Sequence, residues 1–197
     1  ALYWLWKNDH SSIIGIEHYH RFWYKDKLIS RKEVEELLSQ YQIIVPKALN
    51  LNQSIYNQYA DCHYINDLNL ACATIYQYDN NFKNAIIKTL NQNYIYPYNM
   101  LITTKDIYDD YLSFLFSILF ELESKIPFFS YSSYNQRVFG FLSERIFNIY
   151  LKKKNLAYFE YPVQDTMKQK EQIKKRKKVL EEIRKDHNNN EKKYFSK

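Results

Sequence analysis

Apolar residues recur at steps of three and four over two long stretches of the chain, and in short alternating or unbroken runs between them. From 103 to 126, Ile107, Tyr111, Phe114, Leu115, Ile118 and Leu122 share one face, which predicts the longest helix, with Thr104 placed to cap it. From 132 to 154, Val138, Phe141, Leu142, Ile146 and Ile149 predict a second long helix. Shorter helices are expected over 1–8, where Leu2, Leu5 and Trp6 form one face, and over 51–60, 66–78 and 80–93. Another is expected over 30–41, where Ser30 and Glu33 have the spacing of a capping box. Strands are expected at 13–16, at 42–46 closed by Pro46, at 94–104 interrupted by Pro97, and at 156–163. Strands spaced among long helices predict a helix-rich, three-layer α/β fold.

The pattern changes after residue 166. Residues 167–197 carry 12 Lys or Arg against 5 Asp or Glu, whereas the preceding 166 carry 16 against 17. The net charge of +6 therefore belongs to a basic tail, expected to be a solvated helix that frays, attached to a nearly neutral domain spanning 1–166. A nucleic-acid binder would place its basic patch on the folded body, so nucleic acid is not an expected partner. Seven Lys or Arg between Lys168 and Lys178 suit peripheral association with an anionic membrane surface.

Of the 35 aromatic residues 20 are Tyr, in a chain also rich in Asn, Lys and Ile, so the count reads as compositional bias rather than a binding platform. Cys62 and Cys72 form no CxxC pair and no disulfide framework, which fits a reducing cytoplasm. No apolar run is long enough for a spanning helix. The opening ALYWLWKN lacks the features of a signal peptide and reads like the middle of a domain.

With two glycines, the chain can build neither a P-loop nor a GxGxxG turn. It also lacks a GxSxG elbow, an HExxH motif and a His/Cys metal cluster. Any phosphate must be held by side chains. The stretch IIGIEHYHRFWY (13–24) supplies candidates, because an apolar strand there ends at once in His18, His20 and Arg21.

Six stretches in order carry a resemblance: LYWLWKN (2–8), GIEHYHRFW (15–23), IIVP (43–46), QYADCH (58–63), NMLITTKDIYDDYLSFLFSIL (99–119) and RVFGFLSERIFNIYL (137–151). Together they resemble bacterial capsular and exopolysaccharide glycosyltransferases once catalogued as a domain of unknown function, some of them described as galactofuranosyltransferases. The resemblance implies a GT-A-like domain, a nucleotide-sugar donor, and a polysaccharide or lipid-linked saccharide acceptor. It leaves open whether Mn²⁺ or Mg²⁺ is required, and it suits a site in the cytoplasm at the inner face of the membrane. Two positions depart from the family pattern: His20 stands where an Arg is usual, and Glu17 where a small residue or Cys is common. Family members also carry a further stretch before the LYWLWKN helix, with a strand that helps hold the base. The sequence is therefore expected to be part of a longer protein, or to hold its nucleotide differently. A non-catalytic remnant or scaffold of the polysaccharide machinery is the alternative.

Glycosyl transfer needs neutralisation of a departing nucleoside diphosphate and deprotonation of an acceptor hydroxyl. For the first task the residues point to Arg21, with its pH-independent bidentate charge, and to His18 and His20, with Asn99 reaching a sugar hydroxyl. The competing reading has both histidines capping strand-end carbonyls and Arg21 paired with Glu17 or Asp26. For the second task Glu144 is the candidate base, with Arg137 two turns away and Gly140 opening the helix surface. Equally open is a Glu144–Arg145 surface pair with Gly140 as a packing contact. His63 and Asp67, four apart, are expected to pair on the acceptor side.

Overall fold

The structure is a computed structural model that describes residues 2–167; the basic tail expected beyond Met167 lies outside the described residues. Seven α-helices are found among them: α1 (Leu2–Asn8), α2 (Arg31–Leu38), α3 (Ile55–Cys62), α4 (Ile65–Tyr78), α5 (Lys83–Asn91), α6 (Lys105–Glu123) and α7 (Val138–Lys154). The strands are β1 (Ile13–Gly15), β2 (Arg21–Trp23), β3 (Ile43–Pro46), β4 (Leu49–Asn50), β5 (Tyr94–Ile95), β6 (Ile102–Thr104), β7 (Tyr158–Tyr161) and β8 (Val163–Asp165).

Four strands form the central sheet in the order β1-β6-β3-β7, with β6 antiparallel to both neighbours and β3 parallel to β7. Strand β3 shows why the sheet is covered on both faces. Successive side chains of a strand point to opposite faces, yet Ile43, Ile44 and Val45 are all fully buried. Ile43 and Val45 join the main core with residues of α4 to α7, whereas Ile44 joins Trp23, Val34, Met100, Ile102 and Tyr161 on the side covered by α2. The result is a helix-rich α/β domain with helices on both faces of a mixed sheet. Several tyrosines are core residues: Tyr59, Tyr108, Tyr111 and Tyr150 are all buried.

Both long helices form as their periodicity predicts, but some local expectations fail for identifiable reasons. Ser30 caps α2 by accepting the Glu33 N–H, while the Glu33 carboxylate turns away to accept the Tyr161 hydroxyl at 2.9 Å, so only half of the capping box exists. Thr104 occupies the N-cap of α6 without a side-chain capping bond. The helix expected at 51–60 starts only at Ile55, where Ser54 caps it, because Leu49 and Asn50 pair with β5. Phe82 ends a 3₁₀ turn before α5, and another 3₁₀ turn, Asn135–Arg137, precedes α7.

Two prolines divide the remaining expected strands. At 94–104 the chain leaves β5, passes Pro97, and puts both Tyr98 (φ 77°) and Asn99 (φ 53°) in the left-handed region before β6 begins. Such backbone is uncommon for a bulky residue and needs surrounding contacts to hold it. At 156–163 the strand breaks at Pro162, which has no N–H to give a ladder. Strand β7 stays in the central sheet, and β8 crosses to pair antiparallel with β2, Arg21 opposite Asp165.

Candidate functional site: a junction at Tyr98

After β1 the chain makes a tight turn in which the Arg21 N–H donates to the His18 carbonyl at 3.2 Å, with Tyr19 exposed at the tip. The β2–β8 register carries this turn past the end of β8, where the Thr166 N–H donates to the His20 carbonyl at 2.9 Å. His18, His20 and Arg21, expected together from their spacing, are therefore held on one half-buried corner. The His18 and His20 rings lie 6.3 Å apart.

His18 meets a backbone carbonyl, that of Tyr98, as the competing reading expected, but the partners of Arg21 and His20 differ from those weighed for them. Arg21 pairs with neither Glu17 nor Asp26: its Nε lies 3.0 Å from Asp165 Oδ2, and Glu17 instead accepts the Trp23 N–H at 2.8 Å. His20 Nε2 lies 3.8 Å from the same Asp165 oxygen. One carboxylate thus offsets part of the positive charge of this corner.

Tyr98 joins the corner to α7. Its ring lies under the Arg21 guanidinium at 4.2 Å, its carbonyl meets His18 Nε2 at 2.6 Å, and its N–H donates to Glu144 Oε1 at 3.2 Å. One residue later the Asn99 amide donates to the Gly140 carbonyl at 3.4 Å. These bonds explain how two consecutive left-handed residues persist. His18, Arg21, Asn99 and Glu144, drawn from the turn after β1, β2, the 96–101 loop and α7, meet at Tyr98 and its neighbour.

On α7 the contacts fall in two neighbouring stripes. Gly140, Glu144 and Asn148, one turn apart, face the 96–99 loop. Phe141 and Arg145 face the α3–α4 junction. Arg137, in the turn before the helix, stands over the Phe141 ring at 5.5 Å, and His63 stacks on that ring at 4.0 Å. The expected common face of Arg137 and Glu144 is thus divided between two sets of neighbours. Arg145 is buried; it donates to Gln58 Oε1 at 2.6 Å and to Glu144 Oε2 at 3.2 Å, so the Glu144–Arg145 pair weighed from the sequence forms, but with a buried arginine rather than at the surface. Burial pulls the Arg145 pKa down, opposed by the Glu144 carboxylate.

His63 and Asp67 do not form the expected i,i+4 pair. His63 ends α3 in extended backbone, and Asp67 lies in the next helix, where it accepts the Tyr131 hydroxyl at 2.9 Å. Burial raises the Asp67 pKa, opposed by that hydrogen bond; burial and then the Arg145 charge lower that of His63.

The residues missed from sequence are Tyr98, Asp165 and Asn148. A Pro-Tyr-Asn sequence before a strand does signal a turn, but nothing in it announces that the turn binds three other elements. Among the described residues no group of three or more His, Cys, Asp or Glu could hold a metal ion, and no helix is long and apolar enough to cross a membrane. A cavity of about 830 Å³ lies elsewhere, between β1, β2 and α2, and none of the candidate residues lines it.

The fold has counterparts. Residues 1–155 match the model of a domain of unknown function, DUF4422, and the chain belongs to that family. Among solved structures it is similar to the apo structure of WbbM, a bifunctional glycosyltransferase, with 26% sequence identity and a TM-score of 0.75 over 83% of this chain. The match covers 35% of the WbbM chain. No curated protein matches the chain. The domain is thus glycosyltransferase-like in fold.

Proposed function

We propose that this domain transfers a sugar from a nucleotide-sugar donor to a saccharide acceptor, with the diphosphate at the His20–Arg21 side of the corner and the acceptor approaching between His18 and the N-terminal part of α7. The observation that carries the reading is the Tyr98 junction, where the Arg21 guanidinium, the His18 ring and a carboxylate from α7 meet in a glycosyltransferase-like fold. Ligands of α/β sheets usually bind at such strand ends. Arg21 presents its guanidinium to the phosphates, His20 adds charge when protonated, and Asn99 contacts the sugar. Arg137, His63 and Asp67 border the acceptor side. A capsular, exo- or lipopolysaccharide acceptor, lipid-linked and met at the inner face of the membrane through the 167–197 tail, fits this reading. A galactofuranosyl donor is the finer version of it.

The Arg21–Asp165 pair favours a second reading, a non-catalytic member of the same machinery, because it engages the corner's pH-independent cation. Thermal melting with a panel of nucleoside diphosphates and nucleotide sugars, with and without Mn²⁺ or Mg²⁺, separates the two. A ligand at 100 times its dissociation constant adds about 2.7 kcal/mol. A selective rise in Tm supports the transferase and names the donor; a folded chain with no shift for any nucleotide favours the second reading.

A further inference from the structure

Glu144, the candidate base, and His18 each carry an atom able to take a proton, and the two are not equally free. Glu144 accepts the Tyr98 N–H on Oε1 and meets Arg145 with Oε2, so both oxygens already have partners. A proton taken up there would weaken the contacts that hold Tyr98 and the buried Arg145.

His18 is in the opposite condition. Its Nε2 lies 2.6 Å from the Tyr98 carbonyl oxygen, and a carbonyl can only accept. The proton must therefore sit on Nε2. A neutral imidazole protonated there carries its lone pair on Nδ1. No hydrogen bond among the described residues engages Nδ1, and the ring is only half-buried.

We propose, on the reading of the domain as a glycosyltransferase, that His18 Nδ1 is the catalytic base and that Glu144 is a positioning residue acting through Tyr98. The acceptor hydroxyl oxygen bonds to the anomeric carbon while the bond from that carbon to the diphosphate oxygen breaks, its electron pair leaving with the nucleoside diphosphate. The hydroxyl proton passes to His18 Nδ1. The resulting imidazolium keeps its Nε2–H on the Tyr98 carbonyl, a bond that strengthens as the ring becomes charged. The left-handed backbone of Tyr98 acquires a purpose, since it aims the carbonyl at the histidine while the N–H points to α7.

The test combines ring ¹⁵N NMR of the whole chain with the variant His18→Gln. A glutamine amide can still donate to the Tyr98 carbonyl but offers no basic nitrogen, so it separates holding the loop from taking the proton. The expected result is an Nε2–H tautomer in the wild type. His18→Gln should bind UDP within about twofold of the wild type and release UDP from UDP-galactose about 10²–10⁴-fold more slowly, with partial rescue by added imidazole. An Nδ1–H tautomer overturns the proposal, as does a variant within about threefold of wild-type turnover. Normal UDP binding with either result overturns the base assignment alone. A folded wild type that binds no nucleoside diphosphate of the melting panel and releases none from any of its nucleotide sugars overturns the glycosyltransferase reading, and the role of His18 with it.

Discussion

Asn148 of α7 closes both backbone hydrogen bonds of Tyr96, accepting its N–H and donating to its carbonyl, each at 2.9 Å. The amide stands in for the neighbouring strand that the chain lacks where it leaves β5, and it is almost completely buried. Replacement by Ala leaves two buried backbone groups without partners. We expect Asn148→Ala to lose about 2–4 kcal/mol in urea unfolding. In a variant that still folds, nucleotide-induced shifts in Tm should also shrink, because the 96–99 loop loses its anchor.

Asp110 ties the end of α7 to α6. It accepts the buried Tyr150 hydroxyl at 2.5 Å and pairs with Lys154 at 2.8 Å. Partial burial pushes its pKa up, but the Lys154 and Tyr150 hydrogen bonds outweigh this and hold it below the ordinary 3.8. Folded Asp110 therefore binds fewer protons than the unfolded chain across that range, so its contribution is complete above pH 3.8 and is lost as pH falls through the lower folded value. Asp110→Ala should destabilise the domain by about 1 kcal/mol at neutral pH, chiefly through the unpaired Tyr150 hydroxyl. The difference from wild type should narrow in acid unfolding series below pH 3.8; a constant difference would show that the ion pair contributes nothing.

The periodicity of α6 and α7 and the unbroken apolar run of β3 made the layered architecture legible before any coordinates, because burial on one or both faces writes itself into spacing. The residues His18, Arg21, Asn99 and Glu144 were legible as chemistry, and they converge. What joins them was not legible. Tyr98 acts through its main chain, in a left-handed conformation that the letter Y does not suggest. Asp165 becomes the partner of Arg21 only because Pro162 diverts the strand from the central sheet to β2. The His63–Asp67 spacing misled for the reverse reason: four residues imply one helical face only inside one helix, and a helix boundary falls between them.

The Arg21–Asp165 pair gives two substitutions of opposite sign. If the corner holds the diphosphate, Arg21→Ala should weaken UDP binding roughly 10–100-fold, the 1.5–3 kcal/mol of a hydrogen bond to a charged group. Asp165→Asn removes the carboxylate that competes with phosphate for the guanidinium. It should tighten UDP binding about two- to fivefold, the scale of a modest ion pair. Isothermal titration at low and high salt measures both. Weaker binding by Asp165→Asn would mean that the carboxylate orients Arg21 rather than competes for it.

Gly140 lies in the first turn of α7 with its surface exposed, in ordinary helical backbone, and a Cβ added there meets no atom within 4 Å. Packing in the folded chain therefore does not require glycine at this position. Alanine costs less backbone entropy in a helix, so Gly140→Ala should stabilise the domain by about 0.5–1 kcal/mol. Glu144 lies one turn further along the same stripe, and Asn99 donates to the Gly140 carbonyl beside it. If the acceptor lies against this stripe, the added methyl occupies its space. The variant should then melt higher, bind UDP normally, and transfer sugar more slowly because KM for the acceptor rises. A variant that is both more stable and equally active would place the acceptor elsewhere, toward the Phe141–His63 stripe, where Phe141→Ala would then be the substitution that raises KM.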